Sequence, residues 1–225
     1  MRFRSTSLDY FKRGENNQKE EKLMADLSLT KEQQDTLGEI ANISMGSSAT
    51  SLSALLNNLK VDITTPKIEL IRKSESLDDY HNVCVLVHIN YVKGLSGSNV
   101  LILKENDVKI IADLMMGGPG VAGPDEIGEI QLSAVSEAMN QMMGSAASSM
   151  SQLLDRVVDI SPPKTDNIDV ESVKIFERLF ESPEVDFVKI TFNLKIGEVV
   201  DSVMVQLYPI SFAQDMVSLF EKKDN

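Results

Sequence analysis

This chain of 225 residues has only one cysteine and two histidines. A single Cys84 excludes an internal disulfide and is compatible with a reducing cytoplasm. His81 and His88 stand seven apart, with no thiolate partner for Cys84, so no metal cluster is visible and none is expected. No Ser-His-Asp or Cys-His arrangement can be read either. Basic residues are outnumbered 22 to 34 by acidic ones, for a net charge of −12. With no basic stripe, nucleic acid and anionic membrane surfaces are disfavoured as partners. No apolar run approaches the roughly 18–20 residues needed to span a bilayer. The opening MRFRSTSLDYFKRGENNQKEEK lacks an apolar core, so it is no secretory signal. There is no Walker A and no dinucleotide fingerprint. Gly-Gly-Pro-Gly at 117–120 is too short to cradle a phosphate and reads as a helix stop and turn.

What is present is ordinary globular material, 42% hydrophobic and 25% charged, arranged as a duplication. Residues 42–56, NISMGSSATSLSALL, return at 140–154 as NQMMGSAASSMSQLL, matching at nine of fifteen positions across an offset of 98. So long a period points to two copies of one supersecondary unit folded together. Residues 1–26 are polar and mixed in charge and read as a tail, with Met24 as an alternative beginning. Residues 27–225 read as one domain of two repeats, about 27–120 and 125–222.

Each repeat shows the same order. Ser28 or Thr30 can cap a helix running to about Asn58, and Thr30 with Gln33 three residues on offers a capping box. The segments KVDITTPKIELIR, HNVCVLVHINYV and GLSGSNVLILK alternate in polarity and are rich in Val and Ile, as half-buried strands should be. Asn106 or Asp107 is expected to cap a short amphipathic helix. The second half repeats this with a helix from about Glu126 to Asp155 and strand-like VVDISPP, DFVKITFNLKI and VVDSVMVQLYP. A closing helix follows, expected to be capped by Ser211. Hairpin-length connections favour an antiparallel sheet. The fold class is therefore α+β, with about six strands, two long helices and two short ones about a pseudo-twofold axis.

Asp35, Glu39 and Asn42 are spaced i, i+4, i+7 and share one helical face, as do Ser133, Glu137 and Asn140. Both faces lead into Met-Gly-Ser. A glycine inside a helix costs about 1 kcal/mol relative to alanine. Its recurrence at Gly46 and Gly144 predicts a close backbone approach, with Ala49 and Ser53, and Ala147 and Ser151, completing small-residue packing faces. Met139, Met142, Met143 and Met150 fall at helical spacing and read as core. A carboxylate beside a carboxamide can pair with a lysine and position a water, which suits phosphoryl transfer, where orientation and charge carry most of the catalysis.

Asp35-x3-Glu39-x2-Asn42 with Pro66, and Ser133-x3-Glu137-x2-Asn140 with Pro163, resemble the doubled signature of the CheC/CheX/FliY chemotaxis phosphatases. The second copy places 22 residues between Asn140 and Pro163, the family's gap, and the first has 23 between Asn42 and Pro66. The run NISMGSSATSLSALLNNLKVDITTPKI is most similar to the middle domain of the FliY branch. The resemblance implies an enzyme that hydrolyses the aspartyl phosphate of the response regulator CheY. Glu39 and Glu137 would contact a CheY lysine, and Asn42 and Asn140 would align the attacking water. Asp35, Ser133, Pro66 and Pro163 would support them. It also implies that the Mg²⁺ sits on CheY, so that this chain binds no cofactor of its own. The place implied is the cytoplasm, at the face of the flagellar motor, with FliM, FliN or FliG as further partners. FliY-branch proteins also carry a SpoA-type domain, which this stretch does not include. The alternative is a non-catalytic, FliM-like switch module that docks FliG or CheY.

Overall fold

The computed structural model describes residues 29–72, 84–124, 126–167 and 186–222; the expected tail and His81 lie outside them, as does the side chain of Cys84. In chain order the elements are α1 (Lys31–Leu55), β1 (Val61–Arg72), β2 (Cys84–Lys93), β3 (Gly97–Lys104) and α2 (Glu105–Met115). The second half comprises α3 (Glu129–Leu153), β4 (Asp159–Ile160), β5 (Lys164–Asn167), β6 (Asp186–Ile196), β7 (Val200–Pro209) and α4 (Ile210–Glu221). Thr30 caps α1 as its sequence suggests: its hydroxyl accepts from the Gln33 amide at 3.2 Å, while the Gln33 side chain accepts from the Thr30 amide at 3.0 Å. The helix stops at Leu55, three residues short of Asn58, because Asn57 and Asn58 adopt left-handed φ of 55° and 61°. Asparagine tolerates that region better than other side chains.

The sheet runs β1-β6-β7-β3-β2-β4, with β5 also on β2, and every pairing is antiparallel. Exchanging β1 with β4 and β5, β2 with β6, and β3 with β7 turns this order into its own reverse. The pseudo-twofold axis therefore passes between β3 and β7, where Leu101 faces Gln206 and the flanking pairs are Val100 with Leu207 and Ile102 with Val205. The equivalent of β1 in the second half is split. Pro162 and Pro163 have no N–H to give to the ladder, so pairing along β2 lapses between Ser161 and Lys164. The result is seven strand segments in a sheet six strands wide.

Neither Asn106, Asp107 nor Ser211 caps a helix. β3 passes directly into α2 and β7 directly into α4, so Lys104 and Pro209 occupy the cap positions without a side-chain bond. With no loop between strand and helix, no polar residue is free to turn back. Asp107 instead lies buried inside the first turn of α2. Burial pushes its carboxyl above the ordinary range, offset in part by Ser202 and the Lys104 charge.

The core lies between the sheet and the helices. α1 contributes Leu37, Ile40, Met45 and Leu52, and α3 contributes Val135, Met139, Met142, Met143 and Met150. They meet Val87, Ile89, Leu101, Phe192 and Met204 from the sheet. β2 departs from simple half-burial, since Leu86 and His88 are buried along with Val85, Val87 and Ile89.

Candidate functional site

At 3.6 residues per turn, the buried and exposed sides of α1 follow from its sequence. Leu37, Ile40, Ala41, Ser44, Met45 and Ser48 face the core, which leaves Asp35, Glu39 and Asn42 outward and exposed. α3 repeats the division: Val135, Ala138, Met139, Met142 and Met143 face in, while Ser133, Glu137 and Asn140 are exposed. A carboxylate and a carboxamide one turn apart are thus presented to solvent twice, by the two long helices.

The surroundings of the two pairs differ. Asp35 is engaged by Lys31 at 2.6 Å on its own helix, an exposed pair of the kind that contributes little. Glu137 accepts a hydrogen bond from the Gln141 side chain at 2.9 Å. In α1 the residue four beyond Glu39 is Ile43, which is half-exposed and cannot donate. Among the described residues no side-chain hydrogen bond or ion pair holds Glu39, Asn42 or Asn140. Gln141 and Ile43 escaped the motif, although their i+4 spacing from each glutamate was the available signal.

The two helices pack directly on each other. Ser48 Oγ donates to the Met142 carbonyl at 2.8 Å, and Ser145 Oγ donates to the Ser47 carbonyl at 3.1 Å. Ser47 and Ser145 are equivalents in the repeat, so the helices cross at the pseudo-twofold axis. Each asparagine lies five residues before the crossing, about 7.5 Å along its helix. This arrangement corrects the expected role of the glycines. A Cβ built on Gly46 or Gly144 would meet nothing within 4 Å, so neither glycine permits the close approach; the serines make it. Ser53 and Ser151 also face elsewhere. Ser53 Oγ donates to the Leu59 carbonyl at 2.8 Å, and Ser151 Oγ accepts from the Val158 amide at 2.9 Å. Each ties the end of its helix to the chain entering the next strand.

Pro66 and Pro163 occupy matching places in the fold. Pro66 falls at the register shift of β1 between Thr64 and Lys67, and Pro163 in the break between β4 and β5. These are the two edges of the sheet, where a missing N–H is tolerated. The helix and strand of the first half touch beside the site: a Cβ on Gly38 would lie 3.4 Å from Ile68 Cδ1.

Other features lie apart from these faces. A cleft of about 700 Å³ is lined by Lys93, Arg156, Asp215 and Lys222 among others, and contains none of the Glu/Asn residues. The Gly-Gly-Pro-Gly loop ends α2. There Asp113 accepts from the amides of Gly120 at 2.8 Å and Val121 at 3.0 Å. Gly117 and Gly120 have φ of 85° and 83°, which requires glycine. No group of three potential metal ligands occurs among the described residues. No helix among them is long and apolar enough to cross a membrane.

The comparisons with known proteins agree with this layout. The model of the CheC-like family matches residues 32–70 and 130–165, the two segments that carry the Glu/Asn pairs and the prolines. The crystal structure of Thermotoga maritima FliY superposes with a TM-score of 0.80 at 41% identity, covering 87% of this chain and 98% of that one. The chain belongs to the CheC-like family. Flagellar motor switch phosphatase FliY of Bacillus subtilis (strain 168) is 50% identical over 190 residues, or 84% of this chain. The chain spans about half the length of that curated relative. The FliM middle domain of H. pylori shares the fold, with a TM-score of 0.64 at 14% identity over 85% of this chain and 99% of that one.

Proposed function

We propose that this chain is a phosphatase domain of the flagellar motor switch that hydrolyses the aspartyl phosphate of CheY. The observation that carries the reading is the pair of outward, exposed Glu/Asn faces on equivalent helices, in a chain 50% identical over 190 residues to a FliY phosphatase. In this reading Glu39 and Glu137 pair with a lysine beside the acyl phosphate. Asn42 and Asn140 enter the same cleft and orient a water for in-line attack. A charge-assisted pair contributes more than a neutral hydrogen bond, and a fixed water converts an encounter into a near-attack geometry. The Mg²⁺ belongs to the CheY cleft, where it neutralises phosphoryl charge. A convex helix face suits a macromolecular substrate, which brings its own pocket. We place the protein at the cytoplasmic side of the motor, with FliM, FliN or FliG as neighbours.

A second reading is a switch module that docks partners without hydrolysis. The FliM middle domains favour it, since they share the fold, and a fold alone does not select an activity. The lifetime of phosphorylated CheY, measured with Mg²⁺ present, separates the two. The expected result is faster loss of phosphate with the wild-type chain. With Asn42→Ala and Asn140→Ala combined that acceleration should vanish while the fold persists. Full activity in the double variant would remove the assignment.

A further inference from the structure

Gly46 and Gly144 are left without a structural reason by the packing of α1 and α3. A helix interior disfavours glycine, and at each position a methyl group would enter open space. The chain nevertheless has glycine there in both copies, four residues beyond each asparagine. At 100° per residue, position 46 projects between positions 39 and 42 around the helix, and 144 does the same between 137 and 140. The bare backbone therefore lies on the face that carries the carboxylate and the amide, about 6 Å along the helix beyond the amide.

We propose that Gly46 and Gly144 are positioning residues: they leave a hollow beside each Glu/Asn pair into which the surface of the phosphorylated partner protein settles. The proposal rests on the phosphatase reading above. An asparagine side chain is short, so its amide reaches a buried acyl phosphate only if the two protein surfaces close to contact. A methyl group one turn beyond the amide on that face holds the surfaces apart, and a displacement of about 1 Å can lower a rate by about 10²-fold. Fold stability and function then pull in opposite directions at these two positions, which a merely structural glycine would not show.

The test uses Gly46→Ala and Gly144→Ala, singly and together, in the otherwise intact chain. Thermal unfolding is followed alongside the initial rate of phosphate loss across a range of phosphorylated CheY concentrations. The double variant should melt a few degrees higher than wild type, as removal of two helical glycines requires. Its kcat/KM should fall by tenfold or more, with a raised KM. Wild-type kinetics in the double variant, with activity still lost in Asn42→Ala/Asn140→Ala, would overturn the glycine proposal and leave the Glu/Asn reading standing. A lower melting temperature would equally overturn it, by showing that the glycines serve the fold. If wild type itself left the phosphate's lifetime unchanged, both would fall together.

Discussion

Replacing Asn42 and Asn140 together by aspartate keeps side-chain shape while adding a charge and removing the amide N–H donors, so it separates site chemistry from folding. Both positions are exposed, so no desolvation is imposed on the new carboxylates. Neither asparagine has a hydrogen bond to lose among the described residues. The nearest new repulsion is with Glu39 or Glu137 three residues earlier, at a Cβ separation of about 5–6 Å. In water that amounts to about 0.75 kcal/mol per helix before salt screening. For a chain of this size the melting temperature should drop by a few degrees at most. In the docked complex the balance is different. An aspartate about 4 Å from the acyl phosphate, at an effective dielectric near 20, is repelled by about 4 kcal/mol, or about 10³-fold in rate. The assay is the half-life of phosphorylated CheY with Mg²⁺ at two ionic strengths. Higher salt should restore part of the activity of the aspartate variant and none of that of the alanine variant. Full activity in the aspartate variant, or a loss accompanied by a matching loss of helix signal, would refute the argument.

Three further outcomes follow from particular contacts. Ser48→Ala removes the buried hydroxyl that bonds the Met142 carbonyl at 2.8 Å, and should lower stability by about 1 kcal/mol in a denaturant melt. The rate per site should stay unchanged, because each asparagine lies five residues before the crossing and the buried apolar faces still fix the helix rotation. Gln141→Ala, made in the Asn42→Ala background, frees Glu137 from its hydrogen bond. It should raise the remaining activity by no more than about twofold, matching an exposed pair of about 0.2–0.5 kcal/mol. Asp107 is buried and its Oδ2 has no hydrogen-bond partner, so its carboxyl titrates above the ordinary range. An acid with a raised folded pKa opposes folding once ionised, and stability is lost as pH rises through that value. Asp107→Asn should therefore be more stable than wild type at pH 7–8. The two should converge near pH 4, as thermal melts across that range would show.

The layered α+β plan was readable because it was written twice. Val188, Ile190, Phe192 and Leu194 announce a strand by alternation, and the 98-residue offset supplies the symmetry that orders the sheet. What could not be read were the junctions. Whether Asp107 or Ser211 caps a helix depends on whether a loop intervenes, and a strand running straight into a helix leaves no such trace in composition. The split of β4 from β5 was signalled by Pro162 and Pro163. The return of the chain to the same neighbour, β2, could not be read from a run as polar as KTDN.

The glycines show most clearly where sequence reasoning stops. A duplicated Met-Gly-Ser beside small residues has two physical explanations, close packing inward or a bare surface outward, and both predict the same letters. Only the rotation of α1 and α3 about their axes decides between them, and that rotation is set by the apolar faces they bury, Leu37, Ile40 and Met45 on α1 and Val135, Met139 and Met142 on α3. The same rotation turns Glu39, Asn42, Glu137 and Asn140 outward. One element of packing thus places the amide, the carboxylate and the bare backbone on a single face of each helix. That common origin is why shifting the crossing should disturb all three at once, whereas changing any one of them should leave the crossing intact.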